Sequence, residues 1–289
     1  MLVSIRPLVA TLLLSIYGLS AHAGFTIGFE SSEGYSLGPI SNTGSGDIQG
    51  GWSGGAQAFF TNDSTDNEQI VDTEAHSGSQ SWHAAKFYGS PGQGTPFTPS
   101  LGLPDGTGPG ITLHAELYFK AGSSAGDGSA QNIYLGTYAG DDRTGFNVYL
   151  NNNEDSDGGL TVSTYDWNGD FVNEVIASAL ARDQWHKLKI VARFHETDSL
   201  QDSFTYTVND TESFTGNSWP NPWRNDKGFT EVWGDTLKFA ETSDDETDLG
   251  FYYDDLSLSV ASAVVPEPGM LGIALMGILT VASRRRRSC

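Results

Sequence analysis

Apolar and polar residues alternate along much of this 289-residue chain. The run Ile111-Thr112-Leu113-His114-Ala115-Glu116-Leu117-Tyr118-Phe119 shows the pattern well. It recurs in Gly145 to Leu150, Leu160 to Tyr165, Trp185 to Phe194, Phe204 to Val208 and Tyr253 to Val260. A period of two belongs to strands with one face on a core and the other toward water. Between the runs lie turn sequences: Asp155-Ser156-Asp157-Gly158-Gly159, Trp167-Asn168-Gly169-Asp170 and Val208-Asn209-Asp210. Asn168-Gly169 between two strand-like runs predicts a tight hairpin. Only Val175 to Ala181 has a helical composition, enough for a short helical turn. Gly89 to Gly110 predicts a loop rich in proline and glycine, and Asp235 to Gly250 an acidic one. Strand-like runs of similar character flank both, so neither marks a domain boundary. The pattern predicts an all-β fold, a single β-sandwich over residues 24–265.

The two ends differ from the rest. Arg6, the apolar stretch Leu8 to Leu19 and Ala21-His22-Ala23 read as a secretory signal peptide over residues 1–23. At the other end Pro266-Glu267-Pro268 precedes an apolar run from Met270 to Ala282, then Arg284-Arg285-Arg286-Arg287. As a helix that run rises about 20 Å, short of a hydrocarbon core of about 30 Å. A core helix fits the length, but not four arginines immediately behind it. Arginines are retained on the cytoplasmic side, which leaves everything before Pro266 outside. This order resembles the PEP-CTERM sorting signals of Gram-negative bacteria. The resemblance implies a membrane-spanning sorting helix in residues 266–289, transient residence in the inner membrane and processing by an exosortase-type enzyme. The destination it implies is the cell surface or extracellular matrix.

The sole cysteine, Cys289, lies in that tail, so residues 24–265 have neither a disulfide scaffold nor thiol chemistry. The targeting segments also take five of the 15 basic residues and one of the 36 acidic ones. That leaves 10 basic against 35 acidic, a net charge near −25. Nucleic acid is excluded as a partner, because phosphate binding needs a basic face.

Four pieces in order along the domain resemble concanavalin A-like, laminin G-like jelly rolls. They are Gly28 to Gly38, His76-Ser77-Gly78-Ser79-Gln80-Ser81-Trp82, Asp183 to Ile190, and Phe251-Tyr252-Tyr253-Asp254-Asp255-Leu256-Ser257-Leu258. The resemblance implies a jelly roll in which a structural calcium ion ties the first strand, a glycine turn and the last strand together. Here the matching residues are Glu30, Gly78 and Asp254, the last in period-two register with Leu256 and Leu258. Calcium takes six to eight oxygens, carboxylates and carbonyls among them. Asn153 to Gly158 has the look of an EF-hand loop, but Thr164 stands where the bidentate glutamate belongs, so a hairpin loop is expected.

Hydrolases of this fold carry Glu-x-Asp-x-x-Glu on one strand, and this chain has no such motif. There is no Gly-x-Ser-x-Gly, and His76, His83, His114, His186 and His195 lack metal-ligand spacing. The expectation is therefore a non-enzymatic protein that binds carbohydrate or belongs to an extracellular polysaccharide matrix. The alternatives are a divergent polysaccharide hydrolase or lyase, and a structural adhesin. Sugars offer apolar C–H faces and hydroxyls, so a site needs flat aromatics with amides and charges around them. Trp219-Pro220-Asn221-Pro222-Trp223-Arg224-Asn225 supplies these, with Trp219, Trp223 and Arg224 as ligand-binding candidates. Trp52, Trp167 and Trp233 lie near loop-like segments, whereas Trp82 and Trp185 sit inside strand patterns and are assigned to the core.

Overall fold

A computed structural model describes residues 24–40, 49–52, 68–84, 98–103, 110–122, 130–136, 144–152, 158–167, 169–195, 198, 201–217, 236–241 and 250–262. The expected signal peptide, the expected sorting tail with its helix, and Trp219, Trp223 and Arg224 lie outside these residues. Among the described residues no helix is long and apolar enough to cross a membrane.

The chain forms two antiparallel sheets facing each other, a jelly-roll sandwich as expected. The larger contains β1 (Gly24–Ile27), β2 (Gly38–Pro39), β3 (Glu68–Val71), β4 (Ser81–Ala84), β5 (Ile111–Ala121), β10 (His186–Arg193), β11 (Ser203–Val208), β12 (Glu212–Gly216) and β14 (Phe251–Ser262). Its order is β12-β11-β10-β5-β14-β4-β3-β2, and β1 joins β14 on the edge that β4 also uses. The smaller runs β13-β6-β7-β8-β9, from β13 (Thr236–Glu241), β6 (Ala130–Gly136), β7 (Thr144–Asn151), β8 (Leu160–Trp167) and β9 (Phe171–Leu180).

Alternation places the core. Ile111, Leu113, Ala115, Leu117 and Phe119 of β5 and Leu188, Ile190 and Ala192 of β10 are buried, facing Ile133, Val148, Leu150, Val162 and Phe239 of the small sheet. Trp82 is fully buried at the centre of an aromatic cluster with Phe29, Trp52, Phe239 and Tyr253 at centroid distances of 4.9–6.2 Å. Phe239 joins the sheets, since it also meets Tyr253 of β14 at 5.0 Å.

Four expectations change here. Val175 to Leu180 is strand, not a helical turn, and Ala181 follows it: Glu174, Val175 and Ala177 pair with β8, and two irregularities along this pairing absorb the extra residues that broke the period. The expected acidic loop from Asp235 contains β13, because Leu237 and Phe239 alternate into the core and outweigh the acids that follow. Trp52 is no loop aromatic but core, its indole N–H donating to the Tyr35 hydroxyl at 2.8 Å. Trp185 is only half-buried and precedes β10; its ring meets His76 edge-on at 5.9 Å, outside the core.

Removing a large side chain from so dense a cluster leaves a void that its neighbours fill only in part. Trp82→Ala is expected to cost about 3–5 kcal/mol, read as a lower urea midpoint at unchanged denaturant slope.

Candidate functional site

The segment from Glu74 to Gln80 lies over the outer side of β14. A bulge shifts the β14–β5 register between Asp254 and Ser257, and Asp255 takes φ 45°. Asp254 consequently sits opposite Tyr118, on the side away from Leu256 and Leu258, which corrects the register expected from the alternation. It is fully buried nonetheless, under this segment. Its Oδ2 accepts the amides of His76 (2.8 Å) and Ser77 (3.1 Å), and its Oδ1 accepts that of Asp255 (2.7 Å). Glu30 grips the other end. Its Oε1 accepts the amides of Ser79 (2.6 Å) and Gln80 (2.9 Å), and its Oε2 accepts the Ser79 hydroxyl (2.8 Å). Gly78 has φ 62° with Glu30 against it, so a Cβ there meets both a disfavoured backbone and the carboxylate. Asp255 completes the clasp, holding His76 Nδ1 at 2.7 Å and the Ser77 hydroxyl at 2.8 Å, while the His76 ring stacks on Tyr118 at 3.5 Å.

Glu30, Gly78 and Asp254 are thus brought together, as the expected calcium site requires. As placed they do not fit the ion. Every carboxylate oxygen of Glu30 and Asp254 already faces an N–H or O–H donor, whose positive end occupies the approach a cation needs. Among the described residues no group of three or more His, Cys, Asp or Glu side chains could hold a metal. The donors on Glu30, led by the Ser79 amide, hold its carboxyl below the ordinary value. Burial has the opposite effect on Asp254, pushing it up to about 6 although three amides pull it down.

A second constellation lies on the far face of the small sheet. On β7 and β8, Val148, Leu150 and Val162 point to the core, so Asn147, Tyr149, Ser163 and Tyr165 point away from it. Asn147 pairs with Tyr134 of β6, which pairs with Lys238 of β13. Residues opposite each other on one face stand about 5 Å apart at Cβ, so lysine, tyrosine and amide form a row across three strands. Tyr149 and Tyr165 meet edge-on at 5.3 Å, and the Asn147 amide donates to the Tyr149 hydroxyl at 2.8 Å. Burial, and then the neighbouring Tyr134, push the Tyr149 phenol up to about 12, so it keeps its proton at neutral pH. The Asn147 side chain is buried, and its Oδ1 has no hydrogen-bond partner among the described residues. No aspartate or glutamate side chain shares this face among the described residues: Asp166 and Glu174 fall on the core-side parity, and Asp166 accepts the Asn217 amide at 2.7 Å.

Sequence reasoning did not single out Tyr134, Asn147, Tyr149, Tyr165 or Lys238. The signal was present in Asn147-x-Tyr149 and Tyr165-x-Trp167, the polar and aromatic complement of the apolar alternation, but only the apolar half was used. Of the tryptophans expected near loops, Trp167 does lie on this face, at the end of β8.

No protein-family profile and no curated protein matches this sequence. Solved structures do share its fold. An alginate lyase captured with an alginate tetrasaccharide aligns over 82% of this chain and 96% of its own, at 14% identity and TM-score 0.47. An endo-β-1,4-glucuronan lyase from the fungus Trichoderma reesei aligns over 68% and 87%, at 12% identity and TM-score 0.38. The carbohydrate recognition domain of Emp47p aligns over 79% and 95%, at 9% identity and TM-score 0.40. A GH43 glycoside hydrolase is also similar. The expectation of a non-enzymatic protein is corrected by these neighbours, most of them polysaccharide-cleaving enzymes. The missing Glu-x-Asp-x-x-Glu motif bears only on glycoside hydrolysis, which needs paired carboxylates. At such identities the likeness defines the fold alone.

The clasp has a pH signature. A carboxyl raised to about 6 in the folded state binds a proton more tightly than in the unfolded chain, so Asp254 adds stability as pH falls from above 6 toward 4. Below the ordinary carboxylate range Glu30 acts the other way, because its lowered value makes protonation destabilising. Thermal melts of wild type and Asp254→Asn across pH 4–8 are expected to diverge with that slope, and a chelator is expected to move neither.

Proposed function

We propose that this protein is an exported polysaccharide lyase that cleaves uronate-containing chains on the outer face of its small sheet. The observation that carries this reading is the row of lysine, amide and tyrosines there, without a carboxylate among the described residues. Glycoside hydrolysis needs two carboxylates on opposite sides of the scissile bond. β-Elimination needs other groups. A positive or amide donor neutralises the uronate carboxylate and thereby acidifies the C5 proton, a base removes that proton, and an acid protonates the departing oxygen. The C5–H electrons become the C4=C5 double bond, the C4–O bond breaks, and no water is consumed.

Each role has a candidate. Lys238 meets the carboxylate, helped by the second N–H of Asn147 Nδ2, the first being given to Tyr149. Tyr149 retains its proton and so suits the leaving oxygen, and Tyr165, edge-on to it, suits proton abstraction at C5. The net charge of residues 24–265, near −25, opposes the approach of an anionic polymer, so screening should help rather than hinder encounter.

Export rests on the end sequences. The signal peptide and the Pro266–Arg287 order support passage through the inner membrane, recognition by an exosortase-type enzyme and release of domain 24–265 at the cell surface or in the extracellular matrix. There its substrate is extracellular polysaccharide.

Incubation with alginate or glucuronan is expected to generate the ultraviolet absorbance of an unsaturated uronate, faster at 0.2 M than at 0.02 M salt on the order of Debye screening. Tyr149→Phe is expected to lower the rate by about 10²–10⁴, with the melt lowered only by the loss of the Asn147 hydrogen bond, about 1–3 kcal/mol. New reducing ends without that absorbance would mean hydrolysis and sink the lyase reading. For sorting, replacing Pro266-Glu267-Pro268 by three alanines is expected to leave an unprocessed, membrane-held product in a host with the sorting enzyme. Normal processing of that mutant refutes the motif.

A further inference from the structure

Beyond Tyr165, the same face continues into an apolar strip. The hairpin joining β8 to β9 turns through Gly169 and Asp170, where Gly169 has φ 103° and the Asp170 carboxylate accepts the Phe171 amide at 2.8 Å. This turn sets Trp167 opposite Phe171, with rings 4.7 Å apart at 62°. Tyr165 stands opposite Asn173, and Ser163 opposite Val175. Trp167, Phe171, Asn173 and Val175 therefore share the face of the tyrosine cluster. Phe171 is 38% exposed and Val175 56%, on the outermost strand of the sheet. Outermost strands are ordinarily blunted by charge or proline, and here the exposed face carries an aromatic pair and a valine. From Tyr165 to Trp167 the step along the strand is about 6.6 Å, roughly the length of one pyranose.

We infer that Trp167 and Phe171 form a stacking subsite for a sugar ring one unit away from the ring cleaved at Tyr149. The inference rests on the function proposed above and deepens it, because it makes chain length a determinant of binding. The apolar C–H face of a pyranose lies on the Trp167–Phe171 pair, while its hydroxyls reach Asn173 at the flank. The hairpin preorganises the pair, so stacking gains affinity without first ordering a loop. The occupant is a neutral ring face, and its recognition differs in kind from that of the carboxylate at Lys238.

The test uses the exported protein with alginate oligosaccharides from trimer to hexamer, and affinity gels containing alginate, glucuronan or arabinoxylan. Phe171→Ala is expected to raise KM for the hexamer about three- to tenfold, as loss of one aromatic stacking contact implies. The trimer KM and kcat should stay as they are. Trp167→Ala, which removes the other half of the pair, is expected to do the same. Parallel losses on trimer and hexamer, or none on either, overturn the subsite while leaving cleavage intact. Retention in gels that both variants abolish, from a protein that cleaves nothing, supports the subsite and rejects the lyase reading. A wild type that neither cleaves nor is retained overturns both. If Phe171→Ala instead converts a dimer into a monomer in sedimentation, the strip is a self-interface and the inference fails. A melt lowered in Trp167→Ala alone, with KM profiles unchanged in all variants, assigns the pair to hairpin packing and likewise overturns it.

Discussion

A single buried carboxylate governs how the large sheet is put together. Asp254 has no exposure, and an ionised group in that position is tolerable only if donors surround it. The amides of His76 and Ser77 supply two of them, so the segment between β3 and β4 must lie on β14 for the charge to be buried at all. Glu30 repeats the arrangement from the first strand's side, and Lys120 anchors the far margin between Glu74 and Asp183 at 2.7 and 2.8 Å. Backbone N–H groups perform the neutralisation for which the resemblance implied a cation. The geometry of the turn, with glycine at 78, is what makes that substitution workable.

The two outer faces of the sandwich then divide their tasks. On the large sheet, Lys187 pairs with Glu116 at 3.1 Å and approaches the Tyr118 ring, while the Tyr252 ring stacks on His83 at 4.3 Å. The polar groups there are paired with one another. On the small sheet the polar groups converge instead, leaving one end of the Asn147 amide unfilled and a phenol held in its protonated form. A rigid core of Val148, Leu150 and Val162 directly beneath fixes the spacing of Tyr149 and Tyr165 above. Strand-borne side chains of this kind are positioned more tightly than those on loops.

Most of the architecture was legible because β5, β10, β11 and β14 alternate cleanly, and strands with one buried face must alternate. β9 was not, since its irregular pairing with β8 puts Ile176 and Ala177 both inside, and that doublet mimics a helical stripe. β13 was masked by composition: Leu237 and Phe239 are its only strong signals, and acids follow at once. The pieces of the clasp were legible at Glu30, Gly78 and Asp254; the amides that meet their carboxylates were not. Whether a carboxylate meets a cation or an amide depends on backbone direction, which one residue of bulge at Asp255 reverses. The tyrosine cluster escaped for another reason. Its members come from four strands, 134 to 238 in the chain, and only the sheet order β13-β6-β7-β8 makes them neighbours.

Strand β14 is near the end of the chain and yet central in its sheet, flanked by β5 on one side and by β1 and β4 on the other. Residues 251–262 must therefore arrive before the large sheet can close, and pairing Gly24 with Ser259 encloses nearly the whole domain in one loop. Such sequence-distant contacts make folding slow and nearly all-or-none. A chain of this topology stays open throughout its synthesis, and with so late a closing strand it remains threadable until the last strand emerges. Delayed closure suits the export proposed above.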